Sequence, residues 1–287
     1  MPKIPSLEEM LSAGVHFGHR TSHWHPKMEP YIFTARGGVH IINLEETQKQ
    51  LEDALSYIKD IAARGGVILF VGTKRQAQKL VGEAAERVGM PYVNGRWLGG
   101  TLTNFGEIRR LVKRYLKLKD QQDKDELTKY TKKERLMISR EIEDMASRIY
   151  GIRNLEAKPD AIFILDLRHE KTALQEAEHE HIPVVALCDT NVNPDKIKKV
   201  IPANDDAVKS IEMMLDLVAQ AIEEGKKEGS QLVNAAAKKE VKKPVKDENG
   251  DELAVTESSR AVVEDLDLKV HDQLAKEKIE EEKVKSK

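Results

Sequence analysis

The sequence predicts an α/β protein, in which a parallel β-sheet is covered by helices on both faces and a helical hairpin is inserted. Short apolar runs, typical of buried strands, alternate along the chain with segments whose apolar residues recur at helical spacing. This alternation stops between Asn104 and Tyr150, where the sequence favours helix only. The hairpin is therefore predicted within that interval.

The N-terminal elements are predicted from capping signals and periodicity. Ser6 and Glu9 form a capping box, which indicates a short helix. Residues 14–36 have little periodicity and are rich in His, Trp, Tyr and Pro, so we expect an irregular arm. A strand at 39–42 follows, and then a long amphipathic helix capped by Asn43 and ending near Gly65.

The later elements continue the alternation of strand and helix. Strands are predicted at 67–71, 91–94, 161–165 and 184–187, and helices at 76–88, 171–180 and 205–224.

Residues 104–150 carry two narrow apolar stripes. One consists of Ile108, Leu111, Tyr115 and Leu118, and the other of Ile138, Ile142, Met145 and Ile149. The polar stretch 120–126 suits a turn between them, so we expect an antiparallel coiled-coil hairpin that protrudes from the sheet domain. The predicted domains are thus 1–103 with 151–228 (sheet domain and arm), 104–150 (hairpin) and 229–287 (a disordered or transiently helical charged tail without aromatic residues).

Composition excludes several classes of protein. With 40% hydrophobic and 33% charged residues, the chain fits a soluble globular protein. Its longest apolar runs, such as Val67–Val71, are far too short to span a membrane, and the first residues lack the apolar region of a signal peptide. We therefore expect a cytoplasmic protein without membrane association. The single cysteine, Cys188, excludes an internal disulfide and a cysteine-based metal site.

The charge is unevenly distributed. Residues 1–158 carry 27 Lys and Arg against 20 Asp and Glu, whereas residues 159–228 carry 8 against 15. A generic nucleic-acid binder is basic throughout. This split indicates a protein at the edge of a nucleic-acid assembly, with its acidic part turned to solvent or to another protein.

A glycine-rich loop, Asn94–Phe105, leads directly into a basic helical segment. Glycines allow close approach of the backbone, Arg offers a bidentate donor and Trp a stacking face, a combination suited to nucleic acid. A solvated helix after a surface turn is the alternative, and Trp97 is equally consistent with a core position. The candidates for RNA contact are Arg20, Trp24, Lys27, Arg96, Trp97, Arg109, Arg110, Lys113 and Arg114.

Three other patterns raise ligand-binding hypotheses. Gly72, where a strand turns into a helix, lies where doubly wound folds bind phosphate, but a nucleotide fingerprint is missing around it. Four histidines between His16 and His25 lack regular ligand spacing, so packing or RNA stacking is favoured over zinc. Asp189 follows a predicted strand, and Asp205 and Asp206 open a predicted helix. These three are candidates for a divalent cation, with a turn role for Asp189 and a helix-capping role for Asp205 as the alternative.

Several stretches, in order along residues 5–228, resemble the bacterial small-subunit ribosomal protein S2 family. They are Gly14–His19, Trp24–Met28, Tyr31–Phe33, His40–Leu44, Phe70–Arg75, Asn94–Phe105, Pro159–Asp166, Asp189–Pro194 and Ile201–Asp206. The resemblance implies a flavodoxin-like sheet with a coiled-coil protrusion, and an ion site, for zinc or magnesium, on the face that receives a partner protein.

The resemblance also implies a function without catalysis. It implies a structural constituent of the small ribosomal subunit that binds small-subunit ribosomal RNA and neighbouring proteins, helps to recruit ribosomal protein S1 and requires no cofactor. The alternative that the residues leave open is a flavodoxin-like enzyme acting on a phosphorylated small molecule at the sheet edge near Gly72 and Asp189.

Overall fold

The structure, a computed structural model, describes residues 2–124 and 126–240. Residues up to Gln231 form one compact unit. In chain order the strands and α-helices of the described residues are α1 (Leu7–Ala13), β1 (Phe17–Arg20), β2 (Ile32–Arg36), β3 (Val39–Ile42), α2 (Leu44–Ala63), β4 (Ile68–Val71), α3 (Gln78–Arg87), β5 (Tyr92–Val93), α4 (Phe105–Asp123), α5 (Lys132–Ile149), β6 (Ala161–Ile164), α6 (Lys171–His179), β7 (Val184–Cys188), β8 (Lys199–Pro202) and α7 (Val208–Glu240).

Five parallel strands form the central sheet in the order β5-β4-β6-β7-β8. This order, with the first strand second from one edge, is that of doubly wound, flavodoxin-like folds. The predicted α/β class with a parallel sheet is confirmed. The edge strand β8 was not predicted, because its short sequence, Lys-Val-Ile-Pro, mixes a charge and a proline with two apolar residues.

The predicted irregular arm is wrong in one respect, since it contains two strands. β1 and β2 pair on either side of β3 to form a separate three-stranded antiparallel sheet. Both pairings contain an irregularity of register, and most of the residues of these strands are not buried. Strands with so little burial show little apolar alternation, which explains why the sequence did not reveal them.

Each face of the parallel sheet is covered by its own set of helices. Phe70 and Phe163 point to the face covered by α1, α2, α3 and α7, where their rings meet edge to face at 5.7 Å. Leu69 and Ile162, one position earlier on the same strands, belong to the second core together with residues of α4, α5 and α6. The sheet is therefore buried on both sides, as its continuous apolar strands require.

α4 and α5 occupy the region where a hairpin was predicted. Ile108, Val112 and Tyr115 of α4 are buried with Ile142 and Met145 of α5, in the second core. The direction of the pairing is antiparallel, because Arg114 contacts Glu141 at 2.5 Å whereas Gln122, farther along α4, contacts the earlier Ser139 at 3.3 Å.

α7 packs closely against α2. A Cβ atom at Gly225 would lie within 2.8 Å of the Ala62 side chain, and one at Gly229 within 3.0 Å of the Ala63 backbone, so both positions require glycine. The helix continues to Glu240 and so extends into the first residues of the predicted charged tail. The alanine-, lysine- and glutamate-rich sequence there has high helix propensity. The rest of the predicted tail, 241–287, lies outside the described residues.

In the part of the chain that the structure covers, every helix is too short or too polar to cross a bilayer.

Candidate nucleic-acid interface and carboxylate cluster

The glycine-rich loop between β5 and α4 is wrapped around a buried carboxylate. Trp97 is only 8% exposed, and its indole Nε1–H donates to Glu176 on α6 at 3.0 Å. The core alternative therefore describes Trp97, and a stacking contact of its ring with RNA does not fit this burial. Arg96, next to it, is exposed. The loop thus presents an arginine and holds its tryptophan inside.

Helix α4 carries the predicted basic residues on its solvent side. Arg109, Arg110, Lys113 and Arg114 are all exposed, because the apolar residues between them face α5. Arg110 pairs with Glu107, and Arg114 with Glu141 on α5. Arg109 and Lys113, one turn apart, form no ion pair with any residue that the structure describes. Among the four predicted contacts on α4, these two are the cations without an acidic partner in the described residues.

The other predicted RNA contacts lie on the N-terminal arm. Arg20 ends β1 and is exposed. Trp24 is partly exposed, and its ring lies 5.2 Å from that of His40. Lys27 is exposed and pairs with Asp195. The structure therefore distributes the predicted basic and aromatic residues over three segments, namely the arm, the glycine-rich loop and α4.

A cluster of aspartates and one lysine lies at the carboxyl ends of four neighbouring strands. Asp166 follows β6, Asp189 follows β7, and Asp205 follows β8. Lys74, after β4, reaches between them, with its Nζ 3.1 Å from Asp166 Oδ2, 3.1 Å from Asp205 Oδ1 and 2.6 Å from Asp206 Oδ1. The parallel topology explains this gathering, since all four strands end at the same edge.

His19 on β1 completes the cluster from the antiparallel sheet. Its Nδ1 lies 2.9 Å from Asp189 Oδ2 and its Nε2 lies 3.5 Å from Asp206 Oδ2. One ligand atom each from His19, Asp205 and Asp206 lies within 4.8 Å of the others, a spacing that a single metal ion can bridge. Asp189, the third predicted ligand, is outside this group, and His19 takes its place there. His19 was missed because its histidine-rich segment lies far from the aspartates in sequence.

Local turns explain how the aspartates are held. Asp166 Oδ1 accepts hydrogen bonds from the backbone N–H groups of Arg168 and His169. Asp189 Oδ1 accepts one from the backbone N–H of Thr190. The side chain of Asp205 does not cap α7. The turn before that helix is held by Asn204, whose Oδ1 accepts hydrogen bonds from the N–H groups of Asp206 and Ala207. Asp205 is therefore free to direct its carboxylate at Lys74.

The environment shifts three pKa values in the cluster. Burial, reinforced by the nearby Asp166 and Asp189, raises the pKa of Asp205 to about 7, although Lys74 opposes the shift. The hydrogen bond to Asp189 raises the pKa of His19 above its ordinary value, against the effect of burial. Burial lowers the pKa of Lys74, but the surrounding aspartates outweigh it and leave that pKa above the usual range.

We expect the protein to be more stable at pH 6 than at pH 8. Folded Asp205 and His19 both have raised pKa values, so the folded state takes up protons in this interval that the unfolded chain binds less tightly. Their stabilisation is lost as the pH rises through the folded pKa values, and amounts to on the order of 1–2 kcal/mol. Urea denaturation at both pH values, in the presence of a chelator, measures this difference in the free energy of unfolding. D205N should remove most of the difference, and an unchanged difference would contradict this assignment.

Comparison with known proteins agrees with this architecture. A family model described as "Ribosomal protein S2" matches residues 10–225. The small ribosomal subunit protein uS2 of Chloroflexus aggregans (strain MD-66 / DSM 9485) is 46% identical over 233 residues, which cover 80% of this chain and 98% of that protein. The chain belongs to the ribosomal protein S2 family. Members of the S2 family are structural proteins, so the enzymatic alternative is excluded.

The sheet edge of this S2 chain shows why its sequence resembled a phosphate site. A Cβ atom at Gly72 would lie 2.7 Å from Leu165 and 2.8 Å from Val81, so glycine is needed there for packing between sheet and helix. Thr73 donates its backbone N–H to Glu170 at 2.8 Å, and Lys74 is engaged by the aspartates. The groups that would bind a phosphate are thus occupied by carboxylates of the chain itself.

Proposed function

We propose that the chain is a structural constituent of the small ribosomal subunit in the cytoplasm and binds the ribosomal RNA of that subunit. The observation that carries this proposal is the exposed basic face of α4, on which Arg109 and Lys113 have no acidic partner in the described chain. The uS2 protein of Chloroflexus is named as a small-subunit protein. Both observations favour a role in which the chain binds and positions RNA.

The mechanism of binding is electrostatic and geometric. Cations of α4 neutralise RNA phosphates and release their counterions, which contributes affinity without base specificity. α4 and α5 act as a coiled-coil hairpin that carries these cations, while Arg20, Trp24 and Lys27 on the arm and Arg96 on the loop contact adjacent RNA. An exposed Trp can stack on an unpaired base, which helps to recognise the local RNA shape.

The acidic edge of the sheet has a different task, recruitment of ribosomal protein S1. Asp206 is exposed there, and Phe17, on the same strand as His19, is 50% exposed. Phe33 on the same antiparallel sheet is 73% exposed. Negative charge disfavours RNA at this edge, whereas exposed aromatic side chains beside polar groups are typical of protein interfaces.

His19, Asp205 and Asp206 would hold a divalent cation at this edge. A histidine nitrogen with two carboxylates suits zinc better than magnesium, which prefers oxygen ligands only. Asp189, hydrogen-bonded to the other ring nitrogen of His19, would orient the imidazole, as carboxylates commonly do behind a metal-binding histidine. A bound ion would take over from Lys74 as the positive charge among the aspartates. It would also link this edge to the partner through a metal ligand that the partner supplies.

We expect zinc to bind the purified chain and to bind more tightly at pH 8 than at pH 6. Binding requires neutral His19 and ionised Asp205, and both have raised pKa values. H19A should abolish the site, and D189A should weaken it about 10- to 100-fold through loss of orientation. Metal analysis after equilibrium dialysis measures this, with D195A as the exposed control. Equal zinc content in H19A and wild type would contradict the site.

Sedimentation of a cell lysate on sucrose gradients at low and high salt tests the function itself. We expect the chain to migrate with the small subunit and to remain there through moderate salt. Recovery at the top of the gradient under both conditions would refute the ribosomal role.

A further inference from the structure

The carboxylate of Glu176 is the centre around which the glycine-rich loop is arranged. Oε1 of Glu176 accepts a hydrogen bond from Trp97 Nε1–H at 3.0 Å and another from the Gly100 N–H at 2.8 Å. Oε2 accepts from the Leu102 N–H at 2.9 Å, and from the N–H and hydroxyl of Thr103, both at 3.2 Å. Five donors of one loop thus converge on one side chain of α6, which is itself 7% exposed.

Uncharged donors alone keep this buried carboxylate ionised. Burial raises the pKa of Glu176, but the hydrogen bonds from Trp97 and from the loop amides together outweigh it and hold the pKa below its ordinary value. The arrangement is that of an anion-binding loop, in which backbone N–H groups surround a negative group. Here the anion belongs to the protein and satisfies loop amides that are otherwise removed from solvent.

The loop in turn determines where α4 begins. Gly100 adopts φ +90°, and its carbonyl accepts from the Asn104 N–H at 2.8 Å. Asn104 precedes the helix without a side-chain capping bond. The direction of the first turn therefore depends on the preceding loop, and Arg109 follows little more than one turn later.

We propose that Glu176 is a positioning residue for RNA binding, which acts through the loop to orient the basic face of α4. The proposal rests on the RNA-binding function proposed above. Glu176 does not touch the RNA in this scheme. Its effect is to hold Arg109 and Lys113 where phosphates can meet them, because an ordered surface binds with a smaller loss of conformational freedom.

The direction in which E176Q changes the affinity for RNA distinguishes a positioning role of Glu176 from a purely electrostatic one. E176Q removes a negative charge, which by Coulomb attraction alone would strengthen binding to RNA. Glutamine, however, places an NH₂ group among N–H donors, so the loop loses acceptors and must rearrange. We expect E176Q to bind about fivefold or more weakly. E107Q is the matched control, since it makes the same chemical change at an exposed site on α4 and frees Arg110, and should bind as well as wild type or better.

The experiment uses the full chain and small subunits stripped of it by salt washing. Binding of wild type, E176Q and E107Q is compared, and the indole N–H resonances of the two tryptophans are recorded. Weaker binding of E176Q, a shifted Trp97 resonance and an unshifted Trp24 resonance would support the proposal. Binding of E176Q at or above the wild-type level would overturn it.

Two further outcomes are also decisive. If E176Q does not fold, W97F, which removes one donor and leaves the carboxylate, is tested instead. Weaker binding of W97F supports the positioning role, and unchanged binding counts against it. Failure of the wild-type chain to bind stripped subunits would refute the RNA-binding function, and this proposal with it.

Discussion

Replacing Arg109 and Lys113 together by alanine is expected to weaken binding to the small subunit roughly 10- to 100-fold at moderate salt. Both side chains are exposed on one face of α4 and are without an acidic partner in the described residues, so each is available to a phosphate. Loss of two phosphate contacts should also reduce the slope of log affinity against log salt by about 2. Quantitative rebinding to stripped subunits over a salt series measures both quantities.

The matched control is R110A with R114A. This pair removes the same charge from the same helix, but its members are engaged with Glu107 and Glu141. We expect a distinctly smaller loss of affinity. If the two double variants lose affinity equally, binding responds only to net charge, and the assignment of a specific phosphate-contacting face is wrong.

Replacing Lys74 by methionine is expected to destabilise the fold by about 3–5 kcal/mol at pH 8. The side chain of Lys74 is 17% exposed and that of Asp205 only 1%, so removal of the ammonium leaves a carboxylate buried without its counter-charge. The loss should be smaller at pH 6, because burial raises the pKa of Asp205 to about 7 and a protonated Asp205 needs no cation. Urea denaturation at the two pH values gives the comparison.

Two variants make this prediction specific. K74M combined with D205N should recover much of the lost stability, since the two residues are coupled. K79M changes a side chain that is 86% exposed, so its free energy of unfolding should be close to that of the wild type. A K74M protein as stable as K79M at pH 8 would show that the cluster does not depend on the lysine.

Sequence periodicity predicted the parts of the fold whose burial is regular. The central strands at Ile68–Val71 and Ala161–Ile164 are buried at every position, and the capping box at Ser6 is present with both of its hydrogen bonds. β1 and β2 were missed because their stability comes from pairing with β3 rather than from an apolar face. Pairing between strands cannot be predicted from the residues of one strand alone.

The candidate sites were predictable to the extent that they are local. The basic residues of α4 are contiguous in sequence, and helical geometry alone placed them on the solvent side. The carboxylate cluster is different, because it joins His19 to Asp189 and Asp206 across most of the chain. The burial of Trp97 depended on Glu176, another distant residue, so a motif that looked like a surface contact proved to be a packed loop.

The close packing of α7 on α2 has a consequence for synthesis of the chain. α7 supplies Ile211, Met214, Val218 and Ile222 to one core, and its glycine contacts with α2 extend to Gly229. During translation we expect the part of this core that α7 covers to stay exposed to solvent until residue 229 has left the exit tunnel, when α4 and α5 have long been outside. The nascent chain thus offers its basic helix before its hydrophobic core can close, and RNA or a chaperone can act on it in that interval.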